Sequence, residues 1–287
     1  MRFFFNFSIY SLFFLFFNIT NVKSDTPLKW NQTYFGGEII INEIKLDLPD
    51  GEWLMISKKG FMIRTIRNTA VLFVKEEDGV LKEFIELSGM NSSGNYIGYV
   101  DSFYRDNLFG SDTQDGCRDQ TEYYYVKVKT RSASFNCFII RHEDVKKELN
   151  VIGSMGGWGL HKPFNTSWFR KWIRDNDITV PNTMLTREHY FYDKSQNYHA
   201  AGVSHSINPE LFGGPSTKYR SEDKSEYHRY NIEEYPKVKK YMDEFVKKSA
   251  FKHKEFEKLL KARKNFRLNF DELDLKGEDI VSSNSNE

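Results

Sequence analysis

The chain is poor in cysteine, with two in 287 residues, and poor in proline, with seven. The first scarcity excludes a disulfide-stapled miniprotein, and the second excludes a collagen-like or proline-rich extended chain. No charge of one sign predominates, because 41 basic and 40 acidic side chains leave a formal net of +1. A nucleic-acid binder usually carries a strong basic excess, so no such partner is expected. Beyond Phe17 no apolar run reaches the roughly 20 residues that span a bilayer, which excludes a polytopic membrane protein. There is no G-x-S-x-G nucleophile elbow, no H-E-x-x-H zinc helix and no lysine-bearing phosphate loop. No cofactor is therefore expected.

The longest apolar run, Phe3 to Phe17, stands behind Arg2 and before the polar stretch Asn18 to Ser24. That order is the layout of a secretory signal. Residues 1–24 are expected to be cleaved before Asp25, giving an exported, periplasmic or secreted, soluble protein with no remaining transmembrane segment. Residues 25–268 then form one α+β domain, β-rich over 38–141 and mixed over 142–268, and 269–287 form an acidic loose tail. An exported chain meets oxidising conditions, so Cys117 and Cys137 are expected to pair. Closing their loop of about 20 residues is worth roughly 3 kcal/mol on the chain-entropy model. Two free thiols, or a reactive cysteine near His142, are the other readings of the pair. A hairpin turning at Ser132–Ser134 would set Cys137 opposite Lys127 to Lys129, so the segment from Cys117 would have to fold back to reach it. Asn31, Asn91 and Asn165 each open an N-x-S/T triplet, which matters only in a glycosylating host.

Alternation of apolar and polar residues, the period of a half-buried strand, marks Ile44 to Leu48, Trp53 to Ile56, Ala70 to Val74, Val80 to Leu87, Tyr96 to Tyr104, Tyr123 to Lys129 and Phe135 to Ile140. Asp78-Gly79 between two of these runs is a strong hairpin signal. Two more strands, Met184 to Tyr192 and Tyr198 to Ser206, flank a polar turn. Glu143 to Leu149 and Ser167 to Ile173 read as short helices, and the glycines at 153–159 read as a turned connection. From Pro236 the apolar residues fall at i, i+3, i+4 spacing, with a break expected near Ser249. The fold class expected is an antiparallel sheet or sandwich in the N-terminal half, extended by strands near 184–206 and packed by C-terminal helices. Tyr123-Tyr124-Tyr125 cannot form one flat platform, because successive strand residues point to opposite faces.

The segment Ser206-Ile-Asn-Pro-Glu-Leu-Phe-Gly213, followed by Tyr235-Pro-Lys-Val-Lys-Lys-Tyr241 and a charged helix, resembles a group of uncharacterised exported bacterial proteins over residues 180–265. The resemblance implies export and this layout of a strand-rich half before a C-terminal helix. It implies no activity, so it assigns no catalytic residue.

Two constellations remain. His189, His199 and His205 crowd the second hairpin, and histidine is both a common metal ligand and an acid/base group near neutral pH. His199 and His205 would lie roughly 20 Å apart along one strand. A hairpin centred near Ser195 would instead put His189 opposite Ala201, with His199 its diagonal neighbour. An exported hydrolase or metal-dependent enzyme built on His189 and His199 is one reading, and histidines without chemical duty are the other. The second constellation is the C-terminal helix. Between Pro236 and Arg267 stand twelve basic and four acidic residues. Lys239, Lys240, Lys247, Lys248, Lys254, Lys258, Lys261 and Lys264 are candidates to bind anionic lipid or acidic polysaccharide; the plainer reading is lysines that face water. The leading expectation is a non-enzymatic binding or envelope-associated module.

Overall fold

The computed structural model describes residues 28–29, 31–41, 44–63, 66–92, 123–131, 134–144, 166–193, 199–218, 221–262 and 266–267. Eleven strands lie among them: β1 Gln32–Tyr34, β2 Gly37–Ile41, β3 Ile44–Leu48, β4 Trp53–Ile63, β5 Ile66–Glu77, β6 Val80–Ser92, β7 Tyr123–Arg131, β8 Ser134–Glu143, β9 Met184–Asp193, β10 His199–Ile207 and β11 Phe266–Arg267. Two α-helices accompany them, α1 Thr166–Asp175 and α2 Pro236–Lys261. The fold is α+β, as the alternation implies. The expected strand at 96–104, residues 145–149 of the helix expected at 143–149, the glycine cluster at 153–159 and the tail at 269–287 lie outside the described residues, and Asp144 is not helical. Glu143 itself ends β8.

Eight strands form one antiparallel sheet in the order β1-β4-β5-β6-β10-β9-β8-β7. It consists of two meanders that meet where β6 pairs with β10. Local chemistry sets the hairpins. Asp78 and Gly79 both take positive φ, 51° and 74°, the combination a two-residue turn needs to match strand twist. Strand β2 does not join this sheet. It pairs with β3, and β11 adds alongside in parallel, to make a separate three-stranded sheet.

Side-chain alternation gives the large sheet two buried faces. On the first face Met55, Val71, Phe73, Ile85, Leu87, Val203 and Phe191 pack under Ile39, Leu46 and Leu48 of the small sheet and under Phe256 of α2. Farther along the same face Phe138, Ile140, Leu185 and Ile207 pack under Val238, Met242 and Phe245. On the second face Leu72, Val74, Phe84 and Met184 pack against Phe169 of α1.

Helix α2 begins at Pro236, where the missing N–H has no intrahelical partner to lose. Of its buried residues, Val238, Met242, Phe245, Ser249, His253 and Phe256 step by three or four, and Lys252 lies beside His253. The helix runs unbroken past Ser249, in contrast to the expected interruption. Ser249 is completely buried, so it belongs to the packed stripe that holds α2 to the sheet.

Segment 206–213 has a structural explanation. Asn208 is the N-cap of a single 3-10 turn, Pro209–Phe212, and its side-chain oxygen accepts from the Glu210 N–H at 3.1 Å. Its amide also donates to the Leu81 carbonyl at 3.3 Å, and Gly213 closes the turn at φ 74°. The Asn-Pro-Glu-x-x-Gly pattern therefore anchors the exit of β10 to β6 and steers the chain toward α2. Similar local detail revises the tyrosine triplet. A bulge between Tyr123 and Tyr125 lets both Tyr124 and Tyr125 pack on the α2 side, while Tyr123 is buried.

Candidate functional site

Two neighbouring features built around α2 carry chemistry. The first is its outer face. Each residue advances about 100° around a helix, so Lys240, Lys247, Phe251, Lys254 and Lys258 fall within a wedge of about 60°. The line from Lys240 to Lys258 is about 27 Å long at 1.5 Å per residue. All five side chains are exposed, with Phe251 at 38%. No acid falls inside the wedge, but exposed Glu244 and Asp243 lie about 20° beyond its two edges, and exposed Lys237 and Lys248 lie farther out on the Glu244 side. Other lysines named from the sequence are engaged elsewhere. Lys239 pairs with Glu233 at 2.8 Å and lies 3.9 Å from Asp243; Lys261 pairs with Glu257. Lys264 lies outside the described residues.

The second feature is a cavity of about 230 Å³ beside the inner edge of α2. Its floor is the first face of the large sheet, and its walls are α2 and the turn Pro49-Asp50-Gly51 between β3 and β4. Four polar residues from four adjacent strands cross the floor: Arg187 on β9, His205 on β10, Glu83 on β6 and Lys75 on β5. The register explains the alignment. Arg187 pairs with His205, Lys75 with Glu83, and Glu83 with Ile207, two residues on from His205.

Hydrogen bonding fixes the protonation of this row. Arginine only donates, so the Arg187 Nη2 contact of 2.6 Å makes Nδ1 of His205 an acceptor. The Nε2 atom then carries the proton and donates to Glu83 Oε2 at 2.8 Å. Burial pushes the His205 imidazole down to about 4, and the Arg187 charge adds to that effect against the pull of Glu83. Burial alone would raise the Glu83 carboxyl. The hydrogen bond from His205 and the charges of Lys75 and Arg187 outweigh it and hold the group below its ordinary range. The row is thus cation, neutral donor, anion, cation.

Lys75 is itself positioned. Its Nζ lies 3.9 Å from Glu83 Oε1, donates to the Asp50 carbonyl at 3.2 Å and stands 5.4 Å from the centre of the Trp53 ring. Trp53 is locked in turn by donation to the Pro49 carbonyl at 2.8 Å. Gly51, at φ 105°, leaves the space this needs, since a Cβ there would come within 2.5 Å of Lys75 Nζ.

The histidines named from the sequence do not come together as expected. His189 pairs with Val203, not Ala201, and His199 pairs with Asp193. The hairpin is centred one residue later than Ser195, and that shift moves every partner by two. Four ladder positions, about 13 Å at 3.3 Å per residue, then separate the two backbones along the strands. The diagonal contact is therefore overturned. His189 meets His253 of α2 instead, Nδ1 to Nδ1 at 3.1 Å, and His253 Nε2 bonds Asn136. Phe138 stacks on both rings, at 5.3 and 5.1 Å between centroids. Burial pushes His253 down to about 4, opposed by Glu257 and assisted by Lys127. Burial, with the charge of His253, holds His189 well below its ordinary value. Among the described residues no three His, Cys, Asp or Glu side chains are grouped to hold a metal ion.

The second face of the sheet holds a buried ion cluster. Arg141 contacts Glu143 at 2.5 Å and Glu188 at 2.9 Å, and the Tyr190 hydroxyl donates to Glu188 at 3.1 Å. Burial would lower the Arg141 pKa, but the two carboxylates outweigh it and keep the guanidinium charged. Cys137 lies nearby on β8, opposite Val128 and Tyr190. It is fully buried and is not a free thiol. Its expected partner Cys117 lies outside the described residues.

Sequence reasoning missed Lys75, Glu83 and Arg187. The available signal was phase. Lys75 continues the inward positions of Val71 and Phe73, and Arg187 lies between the inward Leu185 and His189. A charged residue on the core-facing phase of a strand marks a buried polar site once the phase is known. Compared with known proteins, the chain matches no family model, no curated protein and no solved structure.

Proposed function

We propose that this is an exported, non-enzymatic binding module that docks on anionic lipid through the outer face of α2. The observation that carries the reading is the aligned wedge of Lys240, Lys247, Lys254 and Lys258 with exposed Phe251 in its middle. Each lysine near an anionic bilayer contributes about 1 kcal/mol, so four give attraction of about millimolar strength without a deep pocket. The phenylalanine favours lipid over acidic polysaccharide, because an aromatic ring gains by entering the headgroup boundary. Among the described residues no helix is long and apolar enough to cross a membrane, which suits attachment at a surface.

The reading includes cleavage of residues 1–24, delivery to the periplasm or beyond, and a Cys117–Cys137 bridge. Intact mass before and after reduction and alkylation checks the two covalent features, the cleavage and the bridge, together. An enzyme centred on His189 and His199 has no comparable support, since the register holds those residues apart.

Sedimentation with phosphatidylglycerol vesicles across a salt series tests the docking. Binding should appear at low salt, fade as salt screens the charges, and be lost in a Lys247→Glu, Lys254→Glu double variant. Equal binding to neutral phosphatidylcholine vesicles, or none to either, refutes it. Binding to acidic polysaccharide alone would transfer the same face to a different partner.

A further inference from the structure

We infer that the cavity beside α2 is a binding site for a small free oxyanion, a carboxylate or phosphate, held at its inner end by Arg187 and Lys75. The inference is independent of lipid docking, because it concerns the floor of the sheet and not the outer face of the helix.

Charge placement selects the ligand. Across the floor two cations, Arg187 and Lys75, stand against one carboxylate, Glu83. The neutral His205 joins Arg187 to Glu83 and adds no charge. The Glu83 carboxylate already accepts the His205 N–H and lies near Lys75. An incoming cation would therefore meet two like charges and an occupied anion. At the mouth stand Lys248, Asp50 and Glu244, all exposed, where water screens them. An oxyanion thus gains most at the inner end, where the surroundings are least polarisable.

Construction supports a site over a mere ion cluster. Buried ionic groups are weak contributors to stability, and packed apolar residues of similar volume often serve as well. Here the row opens on space. Gly51, the Trp53 indole and the Asp50 carbonyl hold the Lys75 ammonium at the wall of that space. Arg187 is only 4% exposed and is aligned by His205. Cations held in place before a ligand arrives bind with less loss of side-chain freedom. The volume of about 230 Å³ is below the 300 Å³ or so at which drug-sized pockets begin. The occupant is accordingly a compact acid, such as a short-chain carboxylate or a small phosphate ester.

Isothermal titration of the purified protein at constant ionic strength tests this with sodium phosphate and sodium acetate. Acetamide and ethylammonium chloride serve as neutral and cationic counterparts. At least one anion should bind saturably at millimolar concentration or below, and neither counterpart should. Lys75→Met should weaken that binding at least about tenfold, the loss of one charge-assisted hydrogen bond. Lys248→Glu, at the exposed mouth where folding is not at stake, should weaken it several-fold. Urea midpoints establish that each variant is folded. The inference is overturned if neither anion binds, if ethylammonium binds, or if both folded variants bind as tightly as the parent protein. Binding of a soluble short-chain phosphatidate without phosphate or acetate likewise overturns the assignment to a free ligand.

Discussion

Mild acid should unfold this protein, and the histidines that α2 covers set the range. His205 and His253 are both held at about 4 in the folded state, against about 6.5 in an unfolded chain. Between those values the unfolded chain binds protons that the folded one refuses, so stability falls as pH falls. The loss begins near pH 6.5 and is complete for these groups near pH 4. Each shift corresponds to about 3 kcal/mol, and the steepest slope for two groups is about 2.7 kcal/mol per pH unit. His189 moves in the same direction. Together they approach the 5–15 kcal/mol by which domains are usually stable. Carboxylates act lower. Glu83 and Glu257 are held below the ordinary 4.5, so their stabilisation is present above that value and disappears beneath it. The span from pH 6.5 to 4.5 therefore isolates the histidines. Urea unfolding at half-unit pH steps measures the slope, with His253→Gln as the comparison. That variant should be less stable at neutral pH yet lose about a third of the pH dependence. A flat profile over the span, or an undiminished slope in the variant, would refute the reasoning.

Two further predictions concern packing on the opposite face. Arg141→Met leaves Glu143 and Glu188, at 6% and 0% exposure, without their cation and should destabilise by about 3–5 kcal/mol in urea unfolding. Gly202→Ala places a Cβ 2.6 Å from Ser88 Oγ and 3.0 Å from the Tyr190 ring. It should destabilise by about 1–3 kcal/mol, and adding Ser88→Ala should recover part of the loss in a double-mutant cycle.

Much of this fold was legible because strand periodicity is a local property. Ile44 to Leu48, Ala70 to Val74 and Met184 to Tyr192 each carry their phase in a few residues, and Asp78-Gly79 names its own turn. The i, i+3, i+4 series from Val238 to Phe256 does the same for α2. What stayed hidden depends on distant partners. Nothing near Val80–Ser92 announces that it pairs with His199–Ile207, and nothing in Ile44–Leu48 says that it leaves the large sheet to join β2 and β11. Candidate residues divide along the same line. The lysine wedge was visible because a helix repeats predictably over 26 residues. The His189–His199 contact failed on a hairpin centre misplaced by one residue. The pairing of His189 with His253, and the row from Arg187 to Lys75, exist only after strands and helix have assembled.

The junction of β6 with β10 also governs how the chain reaches its native state. Strands β4, β5 and β6 close through short turns and β8 joins β9 across about 40 residues, but the ladder between the two halves joins residues more than a hundred positions apart. Closing so long a loop demands entropy before any contact rewards it, which places this fold among slow folders of high contact order. His205 and Glu83 stand on the two sides of that seam, so their hydrogen bond forms only when the halves zip together. The anion cradle is thus assembled by the same pairing that joins the halves, and a ligand that fills the cradle would clasp the seam shut.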